Sequence, residues 1–453
     1  MFRGARKEEA VIEALKKLTE GKRVLILGYG REGKSTWKLL KKTNAFREAA
    51  IADKNPQAGE PGVRLITGDG YLEHLEEFDL VFKSPGIVLP KPAGEYRCRI
   101  LSETEMFFEA YREQIVGVTG TKGKSTTVSL LYHILKEAGR DCVLGGNIGM
   151  PAFDLAESVD KDTIIVFEMS CHQLEYMTVS PKTAVLLNIH EEHLDHYGTM
   201  EKYVAAKENI FRHQKPGDLF FCSEQCLPSG ETAGRLIRVG DGTKDAQIEL
   251  QGNEICCGDR HFIINPDTTP LMGHHNYYDI AFVYGICCQY GITDQEFAAG
   301  LASFHTLPHR LQYVGTVNGV KYYDDSISTI GDTTIQALKT LPDTDTVLIG
   351  GMDRGIDYGD LIEYLSGAQV SHIILMEQTG KRIYQEIMRY WPDFAGRERL
   401  ILVDHLKTAV RRAKEVTRTG HSCVLSPASA SYGIFKNFEE RGDAFADYVF
   451  DRR

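Results

Sequence analysis

The 453-residue chain contains no run near the roughly 18 consecutive apolar residues that span a bilayer. Its start, MFRGARKEEAV, lacks the apolar stretch of a secretory signal. A cytoplasmic protein with no membrane insertion is expected. A basic excess is also missing: 52 Lys and Arg face 63 Asp and Glu, for a net charge of −11. That balance disfavours nucleic acid as a partner. Small anions stay open, because they need only a local nest of N–H groups. The ten cysteines are scattered. Cys256 and Cys257 are adjacent, as are Cys287 and Cys288, and Cys222 and Cys226 are spaced CxxxC, but nothing repeats at the paired spacing of a zinc site. Reduced thiols are expected. Fixed-period repeats and low-complexity linkers are absent too, so the joints between domains must be short.

What is present is an ordinary globular balance, 42% apolar and 25% charged, at a length that suits about three domains. Strand patterns alternate with helical ones, which predicts an α/β fold with parallel sheets covered on both faces. In the first segment Val11, Leu15 and Leu18 keep helical spacing, and strands are read at Val24–Leu27, Ala50–Ala52 and Leu80–Phe82. A second segment starts near Gln114, with strands at Ile115–Val118, Ile164–Phe167 and Ala184–Leu187. Between about 215 and 270 it turns to short β segments around Gly252-Asn253, a small β excursion. A third has strands at Val347–Ile349, Ile373–Leu375, Leu400–Val403 and Cys423–Leu425. The expected division is 1–113, a Rossmann-like domain; 114–306, a P-loop ATPase-like domain carrying the excursion; and 307–453, a second doubly wound Rossmann-like domain.

Ligands in such sheets sit at the carboxyl ends of strands. The central segment has a strand running into Thr119-Gly120-Thr121-Lys122-Gly123-Lys124-Ser125-Thr126 and then a helix. This is a phosphate-binding design: turn and helix N–H groups cradle a polyphosphate, Lys124 neutralises it and Ser125 offers a hydroxyl to Mg²⁺. The Walker form asks for glycine at 118, where this chain has Val118. Glu168, at the end of a strand, can hold the same Mg²⁺. In the first segment Gly28-x-Gly30-x-x-Gly33 follows a strand, with Asp53 closing the next. By itself that reads as a dinucleotide fingerprint and leaves an NAD-dependent oxidoreductase open.

The phosphate loop resembles that of the Mur ligases, the amide ligases of peptidoglycan synthesis and folate glutamylation. Gly145–Gly149, Glu168–Glu175, Asn188 through His193-Leu194-Asp195, Tyr203–Lys207, His275-Asn276, Leu307–Arg310 and Asp325-Ser326 follow in family order. The ending, Leu425–Ala428 through Phe435–Gly442, is similar to the MurD branch. The resemblance implies an ATP-dependent ligase that makes an acyl phosphate of UDP-N-acetylmuramoyl-L-alanine and passes it to the amine of glutamate.

The resemblance also implies residue roles. Gly120, Thr121, Lys122, Gly123, Lys124, Ser125, Thr126, Asn276, Arg310 and Asp325 would bind ATP. The first domain would hold the precursor: Gly28, Gly30 and Gly33 at the diphosphate, Asp53 at uracil, and Ser84, Pro85 and Gly86 on the same ligand. Asn147, Ser170 and Gln173 would meet its sugar–peptide part. Thr329, Arg354, Ser431 and Phe438 would bind glutamate. Ser125, Glu168, His193 and Lys207 would form the Mg²⁺ sites, with Lys124, His193 and Lys207 catalytic. An ammonium at a metal site would repel the cation; in the family the matching lysine is carbamylated by CO₂ and becomes an anion. Read alone, His193 is a surface residue and Lys207 an ordinary helix lysine. A monomer is expected.

Two departures mark this chain. Asp279 stands where many members carry a second Asn on the adenine side. Ile327, which can neither donate a side-chain hydrogen bond nor carry charge, replaces the branch's lysine for the glutamate side chain, so glutamate must be held differently; D-glutamate is the expected substrate, and a related branch that adds L-glutamate to the same precursor is the alternative. A nucleotide sensor that has lost turnover is the third reading, disfavoured by the intact Lys124, Glu168, His193 and Lys207.

Overall fold

The computed structural model describes residues 8–55, 60–243, 245–271, 273–305 and 308–452, without the side chain of Asp195. Leu307 of the Leu-Pro-His-Arg motif therefore lies outside the described residues. The chain forms two compact units. One comprises Met1–Pro270 with His274–Phe304, and the other His305–Arg453 with Leu271–Gly273.

The first unit contains two sheets. The first has β1 (Arg23–Leu27), β2 (Glu48–Asp53), β3 (Arg64–Thr67), β4 (Leu80–Lys83) and β5 (Arg99–Leu101). Their order is β3-β2-β1-β4-β5, all parallel. The order reverses between β1 and β4, and the chain leaves those strands at Gly28 and Ser84. Such a switch point opens a crevice for ligands.

The second sheet has nine strands: β6 (Ile115–Thr119), β7 (Cys142–Gly146), β8 (Ile164–Glu168), β9 (Thr183–Leu186), β10 (Leu219–Ser223), β11 (Arg235–Asp241), β12 (Ile248–Gln251), β13 (Glu254–Cys257) and β14 (Arg260–Ile263). The order is β14-β13-β12-β11-β10-β9-β6-β8-β7. It is parallel as far as β12, then antiparallel through two hairpins. The β excursion of the sequence is thus an extension of the central sheet itself.

One apolar core joins the two sheets. Phe107 and Phe108, on the helix Glu103–Tyr111, meet Phe167 of β8 at ring-centroid distances of 5.8 and 5.3 Å. Val24, Ile26, Ile165 and Ala184 belong to the same buried cluster.

The second unit is built on β15 (Gln312–Val317), β16 (Val320–Asp324), β17 (Thr344–Gly350), β18 (His372–Met376), β19 (Leu400–Val403) and β20 (Ser422–Leu425). Their order is β15-β16-β20-β17-β18-β19. Only the β15–β16 hairpin is antiparallel. Asn318 and Gly319, at φ 52° and 76°, turn it; two positive φ values in a two-residue loop suit the twist of the strands it joins.

Candidate functional site

The phosphate loop begins where the fully buried β6 ends and the helix Lys124–Glu137 starts. Its shape is fixed from outside by Asn188. That side chain accepts from the N–H groups of Thr121 and Lys122 at 3.0 and 2.8 Å and donates to the Lys122 carbonyl at 3.1 Å. Gly123, at φ 82°, caps the helix with no side-chain bond. A Cβ there would lie 2.5 Å from a carboxylate oxygen of Asp279, so only glycine fits. Asp279 and Asn276 ride on the helix His274–Gln289, which therefore abuts the loop. Lys122 donates to Glu192 at 3.0 Å. Ser125 and Thr126 occupy the first turn of the helix.

Lys124 folds back on its own loop, donating to the Gly120 and Thr121 carbonyls at 2.9 Å each. Lys207, from the helix Met200–Arg212, donates to the same Gly120 carbonyl at 2.7 Å and is 1% exposed. Burial, then the neighbouring Lys124 ammonium, pushes its amine down to about 7. Burial also lowers Lys124, against the pull of Glu168 and Glu192.

Glu168 closes β8 beside Val118 of β6. One of its carboxylate oxygens accepts from Asn147 Nδ2 at 2.7 Å, while Oε2 is buried with no hydrogen-bond partner. A buried orphan carboxylate oxygen is costly unless a cation meets it, so the residues fit a Mg²⁺ ion. His193 sits at φ 57° before the turn Leu194–Tyr197. Its ring is 6.3 Å from that of Tyr203, and the Lys207 ammonium lies over the same Tyr203 ring, 4.9 Å from its centroid. Tyr203 in turn shares a 3.0 Å hydrogen bond with Thr121 of the loop. Lys124, Glu168, His193 and Lys207 therefore border one region.

A cavity of about 530 Å³ opens at the first sheet's switch point. Gly28, Gly30 and Asp53 line it, as do Ser84, Pro85 and Gly86. Asn147, Ser170 and Gln173 reach it from the second sheet. Gly28 has φ 90°, and a Cβ there would meet Ser84 at 2.8 Å; the Ser84 hydroxyl donates to the Gly28 carbonyl at 3.1 Å. Asp53 accepts from the Tyr29 N–H at 2.7 Å, which ties the two strand ends together. Gly33 does not line the cavity. It packs the helix on the turn, since a Cβ there would lie 2.0 Å from the Gly28 carbonyl. Ser170 and Gln173 cap the turn Cys171–Leu174 reciprocally.

Glu32, which the sequence did not single out, accepts from Gln173 Nε2 at 3.0 Å, and burial raises its carboxyl. Lys83, also buried, rests over the Tyr176 ring and donates to the Ser84 and Pro85 carbonyls; burial pushes it down to about 8. Asn188, Glu192 and Glu32 carried no local signal of their roles, because each meets a partner dozens of residues away.

The second unit has its own polar cluster at the ends of β16 and β20. Asp325 accepts from the Ser328 and Ser426 hydroxyls at 2.5 and 2.8 Å and from the Leu311 N–H at 3.1 Å. Burial raises it to about 6, with Arg310 among the groups that oppose the rise. Arg310 Nε is buried without a hydrogen-bond partner. Arg354 donates to the Thr329 carbonyl at 2.9 Å, so those two expected glutamate contacts adjoin. Phe438 opens the last helix, and its carbonyl accepts from Ser326 at 2.8 Å. Ser431 is buried, with its carbonyl accepting from Phe435. Ile327 makes its hydrogen bond through the backbone, to the His309 carbonyl at 3.1 Å.

Residues 118–287 match the family model described as the Mur ligase middle domain. The chain is 34% identical to the UDP-N-acetylmuramoylalanine–D-glutamate ligase of Geobacillus kaustophilus, over 94% of this chain and 97% of that one. With the ligase of the same name from Halalkalibacterium halodurans it shares 32%, over 94% and 97%. The crystal structure of MurF ligase from Thermotoga maritima in complex with ADP superposes with a TM-score of 0.59 at 17% identity, covering 97% of each chain.

Proposed function

The chain belongs to the Mur ligase family, and from that premise we propose that it is an ATP-dependent ligase joining D-glutamate to UDP-N-acetylmuramoyl-L-alanine in peptidoglycan precursor synthesis. Neither an oxidoreductase nor a sensor accounts for relatives of that one activity along nearly the whole chain. One observation carries the reading at the site: Asn147 lines the switch-point cavity while its amide holds the Glu168 carboxylate beside the phosphate loop. A ligand in the cavity thereby ends next to the nucleotide cradle.

A carboxylate oxygen is a poor leaving group, so amide formation needs activation. The 1–113 region holds the precursor, with its diphosphate at Gly28, Gly30 and Gly33 and uracil at Asp53. Ser84, Pro85 and Gly86 close over it, and Asn147, Ser170 and Gln173 position its alanyl end. The 114–306 region binds ATP through Gly120–Thr126 and Asn276. Lys124 leaves the loop carbonyls for the polyphosphate. The precursor carboxylate attacks the γ-phosphorus, the bond to ADP breaks, and an acyl phosphate forms. The amine of glutamate then attacks that carbonyl, loses a proton, and inorganic phosphate departs. Positioning and charge neutralisation dominate such catalysis. The 307–453 region contributes Arg310 and Asp325 to nucleotide binding and holds glutamate through Thr329, Arg354, Ser431 and Phe438, with Arg354 pairing a carboxylate.

Ser125, Glu168, His193 and Lys207 would hold Mg²⁺, which supplies positive charge to the phosphate oxygens when bound. Lys207 suits carbamylation. An amine near 7 is partly neutral at neutral pH, its nitrogen can bond to CO₂ with release of a proton, and the resulting anion would attract Lys124 where the ammonium repels it. The active species is a cytoplasmic monomer. Among the described residues, no helix is long and apolar enough to cross a membrane.

Phosphate release with UDP-N-acetylmuramoyl-L-alanine and each glutamate enantiomer tests this reading. Release should require the precursor and D-glutamate. Equal or faster release with L-glutamate would overturn the assigned substrate, and release with neither would overturn the ligase.

A further inference from the structure

A thiol and two imidazoles meet beside the phosphate loop, on residues whose spacing in the chain gives no zinc pattern. Cys171 and His172 follow Ser170 at the end of β8, and His193 arrives from the segment after β9. One ligand atom from each lies within 4.8 Å of the others. We propose that Cys171, His172 and His193 form a site for a soft divalent cation of the Zn²⁺ class, separate in chemistry from the Mg²⁺ pair.

The geometry supports it. Cys171 Sγ and His172 Nδ1 are 3.6 Å apart. A tetrahedral ion with bonds of roughly 2.3 Å to sulfur and 2.1 Å to nitrogen places those two atoms about 3.6 Å apart. The His172 and His193 rings stand T-shaped, 4.9 Å between centroids, with a ligand nitrogen of each within 4.8 Å of the other, so His193 needs only a side-chain adjustment to complete a tetrahedral site. Its position before a short turn, with a side chain 43% exposed, leaves that room. His172 is supported from behind by His196, 4.5 Å away ring to ring, whose Nε2 is 3.0 Å from Glu175 Oε2.

Charge decides which ion fits. Lys124 and Lys207 lie close enough to act on this pocket and oppose an added dication, whereas Glu192 and Glu175 favour it. Coordination releases the thiol proton to solvent and leaves a thiolate as the balancing charge. Sulfur with two nitrogens selects a soft ion over Mg²⁺, which takes oxygen ligands. The three ligands leave a fourth position open, and one of them, His172, also lines the precursor cavity. His193 is the one residue shared with the Mg²⁺ assignment, and the proposal rests on the ligase reading for that point alone. An ion held here would take His193 out of the ligase reaction.

The full-length enzyme, titrated with Co²⁺ in excess Mg²⁺, tests this. The expected result is one Co²⁺ per chain with a thiolate-to-cobalt charge-transfer band, displaced by Zn²⁺. Cys171→Ser should abolish the band. His172→Gln, at a half-buried position and safer for folding, should weaken binding by at least the roughly 10-fold that even an outer partner is worth. Cys256→Ser is the control, because Glu254, Cys256 and His261 form the other such cluster among the described residues, on the outer hairpin. No band in folded enzyme, a band that survives Cys171→Ser with unchanged affinity in His172→Gln, or one lost only in Cys256→Ser would overturn the site. Binding is read without turnover, so its failure leaves the ligase untouched, and failed phosphate release leaves the band.

Discussion

Lys124 and Lys207 meet on one carbonyl oxygen, yet their substitution should fail differently. Lys124→Ala removes the charge proposed to neutralise the polyphosphate, and precursor-dependent phosphate release should fall by at least about 10²-fold, in the range of a lost charge-stabilising contact. Near-normal turnover would remove the phosphate-loop assignment. Lys207→Ala should also be inactive, but a short carboxylic acid added to the assay should restore part of the rate by standing in for the proposed carbamate. Full activity without the acid would refute that role. The sequence singles out both lysines only through motifs it shares with the Mur ligases. Cys171, His172 and Glu32 were not, since their chemistry lies in partners that only the fold brings near.

At the scale of elements, the buried strands announced themselves. Val24–Leu27, Ile115–Val118 and Val347–Ile349 are continuous apolar runs, and each is a central strand of its sheet. The short outer strands β3 and β5, and β15, whose residues are all at least partly exposed, have no such run. The pairing of β15 with β16 depends on Asn318-Gly319, a turn signal that needs both flanking strands to be read first. The end of β16 also carries a buried hydrogen bond to an imidazole: His309 Nδ1 is 2.7 Å from the buried Asp324. That hydrogen bond, against some burial, raises the imidazole above its ordinary 6.5. A raised folded value means that the pair stabilises fully below 6.5 and fades as pH rises through the higher value. The Tm deficit of His309→Asn should therefore be largest on the acid side and shrink above that window. A deficit constant with pH would disprove the linkage.

At the scale of the whole molecule, the sequence suggested three domains from three families of strands. The structure builds the first two sheets on a single apolar core, which periodicity cannot reveal, because a buried face looks the same whichever sheet it meets. Phe107 sits in that shared core, 0% exposed. Phe107→Ala should cost about 3–5 kcal/mol. Urea titrations followed at Trp37, and precursor and nucleotide binding measured separately, check this: both affinities should weaken together as the unit loosens. Loss of one with the other intact would show that the sheets are held independently.

The bond from Lys124 to the Gly120 and Thr121 carbonyls has a consequence for the end of each catalytic cycle. A phosphate cradle stripped of its nucleotide would otherwise leave a partly buried cation facing nothing. Here two oxygens stand ready to reclaim it, so on the proposed assignment departing ADP would exchange places with the loop's own backbone. If Lys124 grips the polyphosphate as proposed, the same cation latches the empty loop, and each release of nucleotide restores that latch.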